Sequence, residues 1–198
     1  MKFSLRFFLF VLVLTVGFVL LPACTANSPE NAAIPTATIS TSTLQVVGQV
    51  GQLRQWANQA EASSSFDTPE WSAEQATGAP DTNRCGDFQT AWASAGSDAI
   101  EWLELRFPTA VHVTGVNIVQ SFNPNQVVEV VLVGDFGRTL EVYRAAPQQI
   151  DRPCPYTLSI SVPRTEAVYQ AVRITVDQSV LGLGWNEVDA VELVGDLD

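Results

Sequence analysis

The chain has 198 residues, a formal net charge of −11 and 16% charged side chains. That length accommodates one domain with extensions. Lys2 is the only lysine and every later cation is an arginine, so no concentrated basic face is available of the kind that nucleic-acid binding requires.

The N-terminus has the pattern of a targeting segment. Lys2 and Arg6 form a positive region, Phe7 to Leu20 is an apolar run too short to span a membrane with flanks, and Leu21-Pro22-Ala23-Cys24 follows. This resembles a bacterial lipobox, with residues 1–23 as signal peptide and Cys24 as the lipidated first mature residue. An ordinary signal peptide or an uncleaved anchor is the alternative. Thr25 in place of an Asp resembles an outer-membrane address if the cell is Gram-negative. Attachment through two or more acyl chains is firm, which puts the rest of the chain on the exposed cell envelope.

Residues 24–59 are expected to be a Ser/Thr/Pro-rich flexible tether. The part from Thr25 to Thr43 lacks hydrophobic periodicity and cannot bury enough surface to offset its ordering entropy. Leu44 to Leu53 has the composition of either a first strand or the end of the tether.

Residues 60–198 are expected to form one all-β domain. Glu101 to Phe107 alternates, with Leu103, Leu105 and Phe107 on one face. Val111 to Gln120 is a second strand whose apolar parity changes at Gly115, as a bulge would produce. Val127 to Val133 is apolar on both faces and therefore interior. Tyr156 to Val162 and Ala171 to Asp177 alternate cleanly, and Glu187 to Val194 changes parity between Val188 and Val191. Turn residues separate these runs, and seven or eight short strands over such a length indicate a sandwich or jelly roll.

Between the tether and the first clear strand lies Trp71 to Trp92, too rich in Gly, Pro, Asp and Thr for a regular element, yet carrying two Trp, a Phe and a Cys. A loop of that weight inside a compact domain is functional or tied down. With Cys24 allocated to lipid, Cys85 and Cys154 remain, and two cysteines in an exported domain pair more often than not. Two separate thiols or a metal pair are the alternatives.

The ordered set WSAEQATGAPDT, CGDFQTAW, EWLELRF, SFNPNQVVEVVLV and AVRITVDQ…GWNEVDAVELVG resembles a discoidin-like (galactose-binding-like) β-sandwich, and most of all the scarf-like domains of pappalysins. The resemblance covers about residues 60–195. It implies an eight-stranded jelly roll that binds through loops at one end, a structural calcium in many relatives, and a binding or packing role without catalysis. The pappalysin protease pattern H-E-x-x-H is absent from the chain.

The residues themselves offer little for catalysis. His112 is the only histidine; between Val111 and Val113 it is expected on the polar side of its strand, and one His cannot build a zinc site. Nothing in the spacing of the carboxylates marks a glycosidase pair. For calcium, Asp81 and Asp87 on the loop and Glu187 and Asp189 on the last strand form the candidate set, since residues 187 and 189 share a strand face and four neighbouring carboxylates repel without a cation. Turn capping by Asp81 and Asp87 is one competitor, and an ion cluster centred on Arg84 is another. Trp71, Phe122, Asn123 and Trp185 are the candidate ligand-binding rim. The expected function is a lipid-anchored cell-surface module that recognises an extracellular glycan. A structural or protein-interaction module of the envelope is the alternative. Replacing Cys24→Ala is expected to release the protein from the membrane fraction or to block processing; unchanged fractionation and migration would remove the lipid anchor.

Overall fold

The computed structural model describes residues 51–150 and 154–197. The lipobox with Cys24 and residues 24–50 of the expected tether lie outside the described residues.

Eight antiparallel strands form an all-β sandwich. They are β1 (Gln52–Trp56), β2 (Gln59–Ala62), β3 (Ile100–Phe122), β4 (Val127–Val133), β5 (Thr139–Arg144), β6 (Tyr156–Ser161), β7 (Tyr169–Asp177) and β8 (Glu187–Asp196). One layer has the order β1-β8-β3-β6 and the other β2-β3-β7-β4-β5, with β3 shared. The two strands expected at Glu101–Phe107 and Val111–Gln120 are thus one strand of 23 residues. Its first part, Ile100 to Arg106, pairs with β2 and β7, and from His112 onward it pairs with β8, while β6 lies on its other side. Pro108 falls in the interval where the register shifts, between Arg106 and Val111, because proline cannot donate to a ladder and is tolerated where pairing is interrupted.

The sheet begins earlier than the sequence suggests. β1 pairs with β8 from Gln52↔Asp196 to Trp56↔Glu192, and β2 starts at Gln59. Residues 52–59 therefore belong to the domain and not to the tether, whose expected end at 59 is corrected. The strand is short, with few apolar residues, because it covers only one edge; its pairing with an interior strand supplies what its own composition lacks.

Alternation fills the core. Leu103, Leu105, Val172, Ile174, Val176, Val130 and Leu132 from one layer meet Val116, Ile118, Val191 and Leu193 from the other, all 0% exposed. The parity change at Gly115 is a register shift between Val113 and Gly115, and the one in β8 is a shift that leaves Asp189 unpaired between Val188 and Ala190. β8 is buried along nearly its whole length. It is covered on its outer side by a layer of loop from Ser63 to Ala99, in which a short 3-10 turn (Ala73–Ala76) packs against it.

His112 is 8% exposed, not on a polar surface as its neighbours in sequence suggest. The segment after β6 crosses over it, and His112 Nδ1 lies 2.7 Å from the Thr165 carbonyl. At the same end of the sandwich, β3 and β8 approach so closely at Gly195 that a Cβ there would stand 2.6 Å from the His112 carbonyl oxygen and 2.6 Å from Val111 Cγ2. Gly195→Ala should therefore force the strands apart, costing about 1–3 kcal/mol and lowering Tm by several degrees in thermal unfolding. An unchanged Tm would contradict this close approach.

Candidate functional site

The loop layer meets the ends of β3, β7 and β8 at one end of the sandwich. Backbone groups packed against a sheet must find partners, and they do so here at defined points. Trp92 N–H donates to the Val188 carbonyl at 2.8 Å and Val188 N–H returns a bond to the Trp92 carbonyl at 3.1 Å. The Trp92 ring is fully buried, with Nε1 donating to the Ser64 carbonyl. Cys85 and Cys154 are joined in a disulfide, Cα–Cα 4.8 Å, which ties the loop to the chain entering β6.

Buried carboxamides hold the neighbouring loops. Gln178 Nε2 donates to Ser94 Oγ at 2.7 Å, Asn186 N–H donates to Gln178 Oε1 at 2.7 Å, and Gln126 Nε2 donates to the Gly184 carbonyl at 3.1 Å. All three residues are 0–1% exposed. Their arrangement sets the path of the segment that carries Trp185, whose Nε1 donates to the Ser94 carbonyl at 2.9 Å.

Three aromatic rings converge above this floor. Phe66 stands edge-on to Trp71, centroids 5.3 Å apart, and edge-on to Trp185 at 5.4 Å. Trp71 adopts φ 52, an uncommon conformation for a bulky side chain. Its backbone is held there from both sides, donating to the Gln89 carbonyl and accepting from Ala93 N–H, both at 3.1 Å. Trp71 Nε1 donates to Asp87 Oδ1 at 2.8 Å. A cavity of about 30 Å³ is lined by Phe66, Trp71, Asp87, Ala93, Trp185 and Glu187. A groove of about 450 Å³, lined by Trp71, Asp87, Phe88, Gln89 and Thr90, shares Trp71 and Asp87 with it. That groove has the size of a small-ligand site. The depression between β2 and β3, about 170 Å³, is lined by Glu61, Glu104 and Arg106 among others. It has no aromatic wall, and its Glu104 is already paired with Arg173 at 2.8 Å.

The candidate rim residues thus divide. Trp71 and Trp185 meet through Phe66, which sequence reasoning missed; half exposed in a Ser-rich stretch, Phe66 carries no periodicity that would mark it. Phe122 and Asn123 are not among the residues lining the cavity or groove. Asn123 Nδ2 donates to the Leu183 carbonyl at 2.7 Å, and the Phe122 carbonyl accepts from Asn186 Nδ2, so their work is to hold loops.

The four-carboxylate calcium set does not assemble. Among the described residues no group of three or more His, Cys, Asp or Glu side chains is placed to hold a metal ion. The unpaired position of Asp189 breaks the period-2 relation to Glu187, and the carboxylates fall into two pairs. Asp189 lies with Asp81 and accepts from Thr82 N–H at 3.4 Å, while Glu187 lies with Asp87 and accepts from Phe88 N–H at 3.1 Å and Ser121 Oγ at 3.3 Å. Arg84 does not centre an ion cluster either; its guanidinium lies 4.9 Å over the Phe88 ring.

Burial pushes the Glu187 carboxyl up to about 8, and the neighbouring Asp87 adds to this against the opposing Phe88 N–H. Burial likewise pushes Asp189 up to about 6, with Asp81 adding and Thr82 opposing.

The eight-stranded antiparallel sandwich has the galactose-binding-like fold. The chain belongs to the family of the pappalysin-1 SD scarf domain, C-terminal, whose model matches residues 46–198. Solved structures agree on the fold. The family 32 carbohydrate-binding module of C. perfringens NanJ, in complex with galactose, is 17% identical over 72% of this chain and 99% of its own, with a TM-score of 0.51. Chitosan-binding module 1 of a chitosanase/glucanase from Paenibacillus sp. IK-5 is 18% identical over 71% and 96%, TM-score 0.52. The lectin domain of Lectinolysin, complexed with Lewis B antigen, is 14% identical over 71% and 94%, TM-score 0.52. No curated protein matches the chain.

The carboxyl pairs make a pH prediction. Both groups bind a proton more tightly in the folded chain than at their ordinary values of 4.5 and 3.8. The stability they contribute is complete below those values and is lost as pH rises, through about 6 for Asp189 and about 8 for Glu187. Tm should fall from pH 5 to pH 8, with a slope of at most about 1.4 kcal/mol per pH unit for each group. Glu187→Gln, which keeps an acceptor for Phe88 N–H, should flatten the upper part of the curve. A wild-type Tm independent of pH over that range would overturn the assignment.

Proposed function

We propose that this chain is a lipid-anchored cell-surface module that binds an extracellular glycan at the loop end of its sandwich. The observation that carries the reading is the cavity and the groove that share Trp71 and Asp87. Together they combine aromatic surface, on which the apolar face of a sugar ring can lie, with carboxylate acceptors for hydroxyl groups. The rigid mounting of Trp71 and Trp185 supports it further, since a binding wall held in place loses little freedom when it is occupied. The galactose, chitosan and Lewis B ligands of the similar folds support a sugar ligand. The reading is one of binding without catalysis, with the lipobox at Cys24 supplying attachment to the envelope and no role for nucleic acid.

Glycan-array screening of the full chain, followed by titration of the best hit, tests the proposal. Trp71→Ala should weaken binding by about tenfold or more, roughly 1.4 kcal/mol, with far-UV circular dichroism unchanged. Absence of binding to any glycan, or a Trp71→Ala variant that binds as well as the parent, would overturn the reading.

A further inference from the structure

The cavity behind Trp71 has an unbalanced chemistry. The Asp87 carboxylate lines it together with the Glu187 carboxyl, which burial holds in its neutral form, and the rings of Phe66, Trp71 and Trp185. Aromatic faces carry the negative part of the ring quadrupole. The two indole N–H groups that could have served a hydroxyl or an anion are already spent, Trp71 Nε1 on Asp87 and Trp185 Nε1 on the Ser94 carbonyl. No cationic side chain lines the cavity. The surrounding loop layer has the same sign: from Ser63 to Ala99 it carries Asp67, Glu70, Glu74, Asp81, Asp87 and Asp98 against Arg84 alone, and Arg84 sits on Phe88. Summed charge of one sign around a concave site raises the local concentration of opposite charge.

The volume narrows the choice. About 30 Å³ exceeds the roughly 10–15 Å³ that one water needs, so it admits one small head group and not a whole sugar ring. Resting on the glycan-binding reading above, we infer that this cavity takes a protonated amino group, so that the ligand is an amine-bearing sugar presented along the adjoining groove. An ammonium within reach of several aromatic rings gains cation–π attraction to them and a charge-assisted hydrogen bond to Asp87. A sugar carboxylate or sulfate in the same place would face Asp87 and an acidic loop layer. An N-acetyl group would bring a carbonyl to a cavity whose indole donors are committed.

The test is titration of the full chain, followed by tryptophan fluorescence and calorimetry, with four probes: a glucosamine oligomer, its N-acetylated counterpart, a galactose disaccharide and tetramethylammonium chloride. The glucosamine oligomer is expected to bind at least tenfold more tightly than the N-acetylated one. Asp87→Asn keeps an acceptor for Trp71 Nε1 and removes the charge; it should erase that difference while leaving Tm nearly unchanged. Phe66→Ala, at a half-exposed position, should weaken the amine-bearing oligomer and tetramethylammonium together. Equal or better binding of the N-acetylated or galactose probe would overturn the cationic pocket and leave the glycan reading standing. Binding of tetramethylammonium alone, lost in Asp87→Asn, would support the pocket and overturn the glycan reading. Binding of none of the four would overturn the pocket.

Discussion

The backbone bridge between Trp92 and Val188 is the joint on which the binding end depends. β8 is an interior strand, and β1 covers its edge only from Glu192 to Asp196. Beyond that point the strand still carries exposed donors and acceptors, and the loop takes them over: Ala57 N–H donates to the Val191 carbonyl, then Trp92 exchanges two bonds with Val188. The need to satisfy buried backbone groups thus brings an irregular segment into register with the sheet. The fully buried Trp92 ring then fixes it by burial as well as by hydrogen bonding.

From this joint the rest of the site follows in sequence. Ala93 lies next to Trp92, and its N–H and carbonyl hold Trp71 and Phe66 respectively. Ser94 comes next, and its carbonyl and hydroxyl receive Trp185 and Gln178. Three consecutive loop residues therefore place all three aromatic walls. The disulfide at Cys85 secures the far side of the same loop, closing a separation of 69 residues. In the chain-entropy account a closure of that length removes about 4 kcal/mol of freedom from the unfolded state. The conformational strain at Trp71 is tolerated because its surroundings over-determine it, as is usual where a side chain must be aimed.

Four carboxylates in two stretches of sequence invite a shared cation, and the fold sets them as two pairs, Asp81 with Asp189 and Asp87 with Glu187. Burial raises the carboxyls of Glu187 and Asp189 above their ordinary range, and the neighbouring Asp87 and Asp81 add to the shift. Electrostatics thus gives this end of the molecule a pH-responsive charge beside its aromatic walls.

Much of the fold was legible in one dimension because strand burial has a short period. Leu103, Leu105 and Phe107, or Val172, Ile174 and Val176, declare their face by alternation alone. Gly115 and the Val188–Val191 parity change declared their bulges the same way, and the oxidising setting implied by the leader pointed to Cys85 pairing with Cys154. The weak edge strands β1, β2 and β5 were not readable, since their order comes from the neighbour they pair with. At the site, Trp71 and Trp185 stood out as heavy side chains in loops. Phe66, the buried carboxamides of Gln178, Gln126 and Asn186, and the burial of His112 carried no such mark. Their roles depend on contacts between residues more than 50 positions apart, and polarity at one position says nothing of what folds over it. Sequence alone determined which residues can face a core. Only the tertiary structure decided which loops meet at its end, because loop paths are set by the backbone and side-chain partners they find across the fold and not by any local period.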